Sequence, residues 1–341
     1  MGQGGRHWRA VVACSALVVV VALASCGSGS NGASTSASTA STVAPTGRPP
    51  AGPFAVGTLL RTLVDTSRPT AAQGGAPAKP SRTLVTTILY PALGPPGPMA
   101  RPNAPPDTAA GPFPLVVFAP GTGGAPADFG ALLGSWAEAG YVVVAPEFPL
   151  TGAHAPGGAV VSDYVNQPGD VRFVIDRLLR APPVELTGLV DGGRVGLAGH
   201  SLGGVTTMGV AFNTCCLDPR VKAVVVMAGS PLPFAGGTYF GRVASPPALF
   251  IQGSADQRVV PDTSVLSYNR ARPPKALVTI VGGTHSSPYQ GDQLTPQVDL
   301  VARVSVDFLD RYLEGRPVGA TQLRQAVASS GGLATLRESG L

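Results

Sequence analysis

The stretch Val195–Gly204, VGLAGHSLGG, sets an apolar run against a serine hemmed in by glycines and a histidine. Such a short continuous apolar run reads as a strand buried on both faces. Leu202–Phe212 reads as a helix, so Ser201 falls on a strand-to-helix turn. Gly199-His200-Ser201-Leu202-Gly203 fits the pattern G-x-S-x-G, in which a strained turn lifts a serine hydroxyl above the end of a sheet. The flanking positions must be small because neighbouring chain segments pass close to them. The helix that follows turns its amino-terminal dipole towards the serine, favouring negative charge developing there.

Outward from this turn the chain alternates strand and helix. Pro114–Ala119, Tyr141–Ala145, Arg194–Ala198, Val221–Ala228, Ala248–Gln252 and Ala276–Val281 are apolar runs of strand length. Phe129, Leu132, Leu133 and Trp136 share one helical face, as do Val171, Val174, Ile175 and Leu178 behind Asp170, which is placed to cap that helix. A late helix carries the stripe Val301, Val304, Phe308, Leu309 and Tyr312. The pattern predicts an α/β domain with a mostly parallel central sheet and helices on both faces. Phe54–Asp65 and Arg82–Tyr90 precede it as antiparallel edge strands, and the connections leave no room for a large cap domain.

A serine hydroxyl needs a base, and the elbow architecture brings its partners in the order serine, acid, histidine. His154 lies upstream of Ser201, and His200 adjoins it on a turn that should aim the ring elsewhere. His285, in the loop after the last apolar strand, remains as the base. Asp256 follows the strand Ala248–Gln252 and is favoured as the acid over Asp262, which lies farther out behind Pro261. Its role would be to hold the imidazole tautomer and stabilise the imidazolium. An oxyanion needs two donors: the backbone N–H of Leu202, and an amide of the Ala119–Gly124 loop, APGTGG, for which Thr122 is the candidate.

Together these residues resemble the α/β-hydrolase fold. More narrowly, the chain is similar to bacterial serine esterases of the dienelactone-hydrolase and platelet-activating-factor-acetylhydrolase-like group, over roughly residues 54–313. The resemblance rests on VGTLLRTLVDTSRP, RTLVTTILYPA, APGTGG, GHSLGG and the Asp256 and His285 loops. It implies a Ser201–Asp256–His285 triad, an oxyanion hole at Thr122 and Leu202, and no cofactor or metal. Dienelactone hydrolases proper use a cysteine, so Ser201 points instead to ordinary ester hydrolysis. Cutinases and polyester hydrolases share the fold but commonly carry an aromatic residue at the oxyanion loop and a tryptophan after the strand following the elbow. Thr122 and Gly229-Ser230-Pro231 stand at those places here.

The amino-terminal segment reads as an address. Arg6 and Arg9 precede the apolar run AVVACSALVVVVAL, Ala10–Leu23, which is too short for a comfortable bilayer span. Leu23-Ala24-Ser25-Cys26 resembles a bacterial lipobox, which implies cleavage before Cys26 and its acylation. The expected organisation is a signal peptide over 1–25, a Ser/Thr/Ala/Gly tether over 26–50, a catalytic domain over 51–315 and a carboxy-terminal extension over 316–341. Such a tether, GSGSNGASTSASTASTVAPT, buries nothing and would hold the domain off a membrane by its lipid. An exported, lipid-anchored monomer is the expectation, with a secreted protein as the alternative.

Composition agrees with a large packed domain: 341 residues, 44% of them hydrophobic, with only 13% charged. No run of lysine or arginine supports nucleic-acid binding, and no cysteine–histidine spacing supports a metal. Cys215 and Cys216 are adjacent, with Cα atoms about 3.8 Å apart across a trans peptide; a vicinal disulfide and two packed thiols both stay open. The expected function is serine-dependent hydrolysis of small or medium acyl esters. Acyl transfer to envelope alcohols, polyester hydrolysis and a non-catalytic lipid-binding lipoprotein are the alternatives.

Overall fold

The computed structural model describes residues 53–241 and 245–341. The expected signal peptide, Cys26 and the whole tether lie outside the described residues. Among the described residues ten strands form a single sheet in the order β10-β9-β8-β7-β6-β4-β5-β2-β1-β3. Its centre is parallel: β4 (Phe113–Ala119), β5 (Val142–Glu147), β6 (Val190–His200), β7 (Val221–Met227), β8 (Ala248–Gly253) and β9 (Lys275–Ile280). β2 (Arg82–Ala92) runs antiparallel to β5, and β1 (Ala55–Asp65) antiparallel to β2, with the two-residue β3 (Arg101–Pro102) outermost.

The apolar runs are continuous because both faces of the sheet are covered. Along β4, Val116 and Phe118 pack with α1 (Gly130–Glu138), α5 (Pro296–Tyr312) and α6 (Val318–Ala328). Leu115, Val117 and Ala119 point the other way, towards α2 (Gln167–Arg180), α3 (Leu202–Phe212) and α4 (Pro261–Arg270). This is the expected α/β-hydrolase architecture. The irregular connections at residues 148–160 and 228–247 contain no α-helix among their described residues.

Two expectations need correction. Asp170 is not a helix cap: α2 begins at Gln167, and Asp170 lies inside its first turn, fully buried. There it accepts from Arg82 Nε at 2.7 Å and from Arg68 Nη2 at 2.6 Å, while Arg82 Nη2 also reaches Asp163 Oδ2 at 2.8 Å. A guanidinium 1% exposed needs carboxylates around it, and that demand, invisible in helical periodicity, decides the role of Asp170. Residues 316–341 are not a mere appendage: α6 packs on α5, and β10 (Ala334–Ser339) pairs antiparallel with β9 to close that side of the sheet. Its exposed, alternating pattern is that of an edge strand, which is why no apolar run announces it. The stretch behind Asp256 forms the helix α4, which begins at Pro261. Cys215 and Cys216 are joined by a disulfide and pack beside Leu202, Val205 and Phe234.

Candidate active site

Ser201 stands between β6 and α3 with φ +55° and ψ −117°, a conformation that L-residues rarely adopt. Its N–H donates to Met227 O at 2.9 Å and its carbonyl accepts from Val205 N at 3.1 Å, so the turn is held by the neighbouring strand and by the helix it starts. The crowding is measurable at Gly203, where an added Cβ would lie 1.8 Å from Ala119 O, and at Gly199, where it would lie 2.3 Å from Gly203 O. Glycine is therefore obligatory at both positions. The elbow and the strand leading to the oxyanion loop touch through backbone alone.

His285 comes from the loop after β9 and Asp256 from the loop after β8. His285 Nε2 lies 2.8 Å from Ser201 Oγ, and His285 Nδ1 lies 2.8 Å from Asp256 Oδ2. A carboxylate at Nδ1 keeps the proton there and leaves Nε2 to accept from the serine hydroxyl. Asp256 also accepts from Arg258 N at 2.9 Å, Val259 N at 3.0 Å and Gln252 Nε2 at 2.9 Å. Burial alone would raise its carboxyl; the hydrogen bonds from His285 and the two backbone amides outweigh it and hold the group below its ordinary value. Asp262 is exposed in the first turn of α4, and His154 is exposed and paired with Glu147. Neither joins the row.

The Ala119–Gly124 loop lies over Ser201: a Cβ on Gly121 would fall 2.9 Å from that of Ser201. Gly123, at φ +69°, donates its N–H to Thr151 O at 2.7 Å, and Gly124 donates to Gly121 O at 3.1 Å. Among the described residues the Thr122 and Leu202 amides donate to no protein acceptor. Both residues flank Ser201, one through this loop and the other as the first residue of α3. Thr122, Ser201, His285, Arg258, Ser286 and Gln290 line a cavity of about 250 Å³. A larger, more apolar cavity of about 570 Å³ lies against Leu60, Val85, Phe148 and Leu150 and contains none of the row.

Sequence reasoning missed two supporting residues. Gln252, the polar end of an apolar strand, is 1% exposed; it donates to Asp256 Oδ2 and to Val259 O, and accepts from Ser264 Oγ at 2.7 Å. A lone glutamine in ALFIQG was the available signal. His200 does not turn away from the site. Its Nε2 donates to the His285 carbonyl at 2.7 Å, and its ring lies 4.8 Å from that of His285 and 5.0 Å from that of Tyr289. Burial pushes its pKa down to about 4, and Nδ1 has no acceptor for a second proton among the described residues.

Residues 105–319 match the model of the PETase family, described as PET hydrolase-like. The chain belongs to this family. A ferulic acid esterase from Streptomyces cinnamoneus has the same fold, with a TM-score of 0.59 at 23% identity, over 79% of this chain and 93% of that one. No curated protein matches the chain. The PET hydrolase-like assignment agrees with the α/β-hydrolase esterase that the motifs resemble, and makes the protein an ester hydrolase of the carboxylesterase class.

Proposed function

We propose that Ser201 is the nucleophile, His285 the general base and Asp256 the orienting acid of an acyl-enzyme mechanism acting on small or medium acyl esters. The observation that carries this reading is the unbroken row Asp256 Oδ2, His285 Nδ1, His285 Nε2 and Ser201 Oγ, with both links at 2.8 Å. Ser201 Oγ attacks the ester carbonyl as its proton passes to His285 Nε2. The oxyanion is met by the Thr122 and Leu202 amides and by the positive end of α3. His285 then protonates the leaving alcohol. Water, deprotonated by the same ring, releases the acid and restores the hydroxyl. Asp256, held ionised by its hydrogen bonds, stabilises the imidazolium in both steps.

In this reading the protein is exported and held by a lipid on Cys26 at the outer face of the cell membrane. The basic start, apolar run and lipobox-like Leu23–Cys26 support it, as does the polar tether that follows. The experiment for the chemistry is labelling with a fluorophosphonate probe. Wild type should label and Ser201→Ala should not; an unlabelled wild type with intact fold would sink the assignment. A second reading, polyester hydrolysis, draws on the PET hydrolase-like family match. Against an aromatic clamp stand Thr122 at the oxyanion loop and Gly229-Ser230-Pro231 after β7. Soluble acid released from polyester film at rates comparable to short-ester turnover would favour that second reading.

A further inference from the structure

Arg258 brings a fixed positive charge to the wall of the cleft that holds Ser201 and His285. The arginine follows Asp256 by two positions, and its backbone N–H is spent on Asp256 Oδ1. Its main chain is thereby pinned beside the triad while the side chain stays exposed at the cleft. The guanidinium is near enough to disfavour a charged His200. Among the described residues it forms no ion pair and no hydrogen bond, and the residues outside them include no Asp or Glu.

The carboxylate two residues before it, Asp256, is 3% exposed and already bonded to His285, Gln252 and two backbone amides. The remaining wall sets Thr122, Ser286 and Gln290 beside Val259 and two glycines, with no Phe, Tyr or Trp. A planar guanidinium with five N–H donors is shaped for a carboxylate, which it grips through two parallel hydrogen bonds. The cleft measures about 250 Å³, so a group bound by Arg258 sits only a few bonds from a carbonyl at Ser201.

We infer that Arg258 determines specificity, selecting esters that carry a carboxylate a few bonds from the scissile carbonyl. This rests on the proposed serine hydrolase mechanism and names its substrate class. Hydrolysis of such an ester breaks the bond from acyl carbon to alcohol oxygen. Water supplies the oxygen of the new acid and the proton of the released alcohol, and the recognised carboxylate is unchanged.

The test compares kcat/KM for matched charged and neutral esters at low salt. One pair carries the charge on the acyl side, p-nitrophenyl hemiglutarate against p-nitrophenyl pentanoate. The other carries it on the alcohol side, 4-acetoxybenzoate against phenyl acetate. In at least one pair the ratio of charged to neutral should fall about fivefold in Arg258→Gln and further in Arg258→Glu, while Arg258→Lys keeps most of it. The wild-type ratio should also shrink in 1 M salt. The pair that responds reports which side bears the carboxylate. Unchanged ratios in Arg258→Gln and Arg258→Glu, or a parallel loss on charged and neutral esters, would overturn the inference. Turnover of the neutral esters that disappears in Ser201→Ala upholds the hydrolase mechanism whatever Arg258 does. Turnover retained in Ser201→Ala, or none in wild type, overturns that mechanism and this inference with it.

Discussion

Substituting His200→Gln should remove a specific share of the protein's acid sensitivity. The His200 ring is 3% exposed, donates one N–H to the His285 carbonyl, and is held neutral down to about pH 4 by burial. In the unfolded chain the same ring takes up a proton near pH 6.5. The neutral ring therefore contributes its full stabilisation above pH 6.5. That contribution declines as pH falls from 6.5 towards 4, and nothing further is lost below, where both states are protonated. The gap between the two values, at about 1.4 kcal/mol per pH unit, amounts to about 3 kcal/mol. Asp256, whose carboxyl is held low in the folded protein, also loses its stabilisation on acidification, but wild type and variant share that loss. Urea unfolding of both proteins at intervals from pH 7 to pH 4 measures the difference. Wild type should be the more stable at pH 7, and its advantage should shrink by about 3 kcal/mol across the series. Stability curves that run parallel through this range would refute the account, as would a His200 ring seen by NMR to titrate near 6.5 in the folded protein.

Four further outcomes are expected. Asp256→Asn should lower kcat on a p-nitrophenyl ester by about 10³–10⁴-fold with little change in KM, because the amide no longer enforces the productive His285 tautomer. Arg82→Met should cost about 3–5 kcal/mol in denaturant unfolding, since it leaves Asp163 buried without a cation and Asp170 with Arg68 alone; adding Asp163→Asn should recover much of the loss. Gly203→Ala should abolish activity and cost about 3 kcal/mol or more, because its Cβ would lie 1.8 Å from Ala119 O. Gly123→Ala, where an added Cβ meets nothing within 4 Å, should cost only about 1–2 kcal/mol of backbone strain in thermal unfolding.

Much of the fold was legible because a sheet covered on both faces leaves a one-dimensional trace. VVFA in β4, VVVA in β5 and AVVVM in β7 are continuous apolar runs for that reason. The edges were harder to read. β10 alternates and stays partly exposed, so its pairing with β9 depends on a neighbour far away in the chain. Asp170 misled because capping is a local rule, whereas its partner Arg82 lies 88 residues away.

The elbow motif was legible in the amino-acid sequence alone, as glycines at 199 and 203 around Ser201; Gly199 is required by backbone within the turn itself, whereas Gly203 is required by Ala119 O on the neighbouring strand. Chain order and elimination could also nominate His285 and Asp256. Only the tertiary structure decided that the three groups meet, that Gln252 braces the acid, and that His200 turns its ring onto the His285 loop. Hydrogen bonds between loops 29 and 84 residues apart depend on how the parallel strands set those loops side by side, and no local pattern encodes that distance.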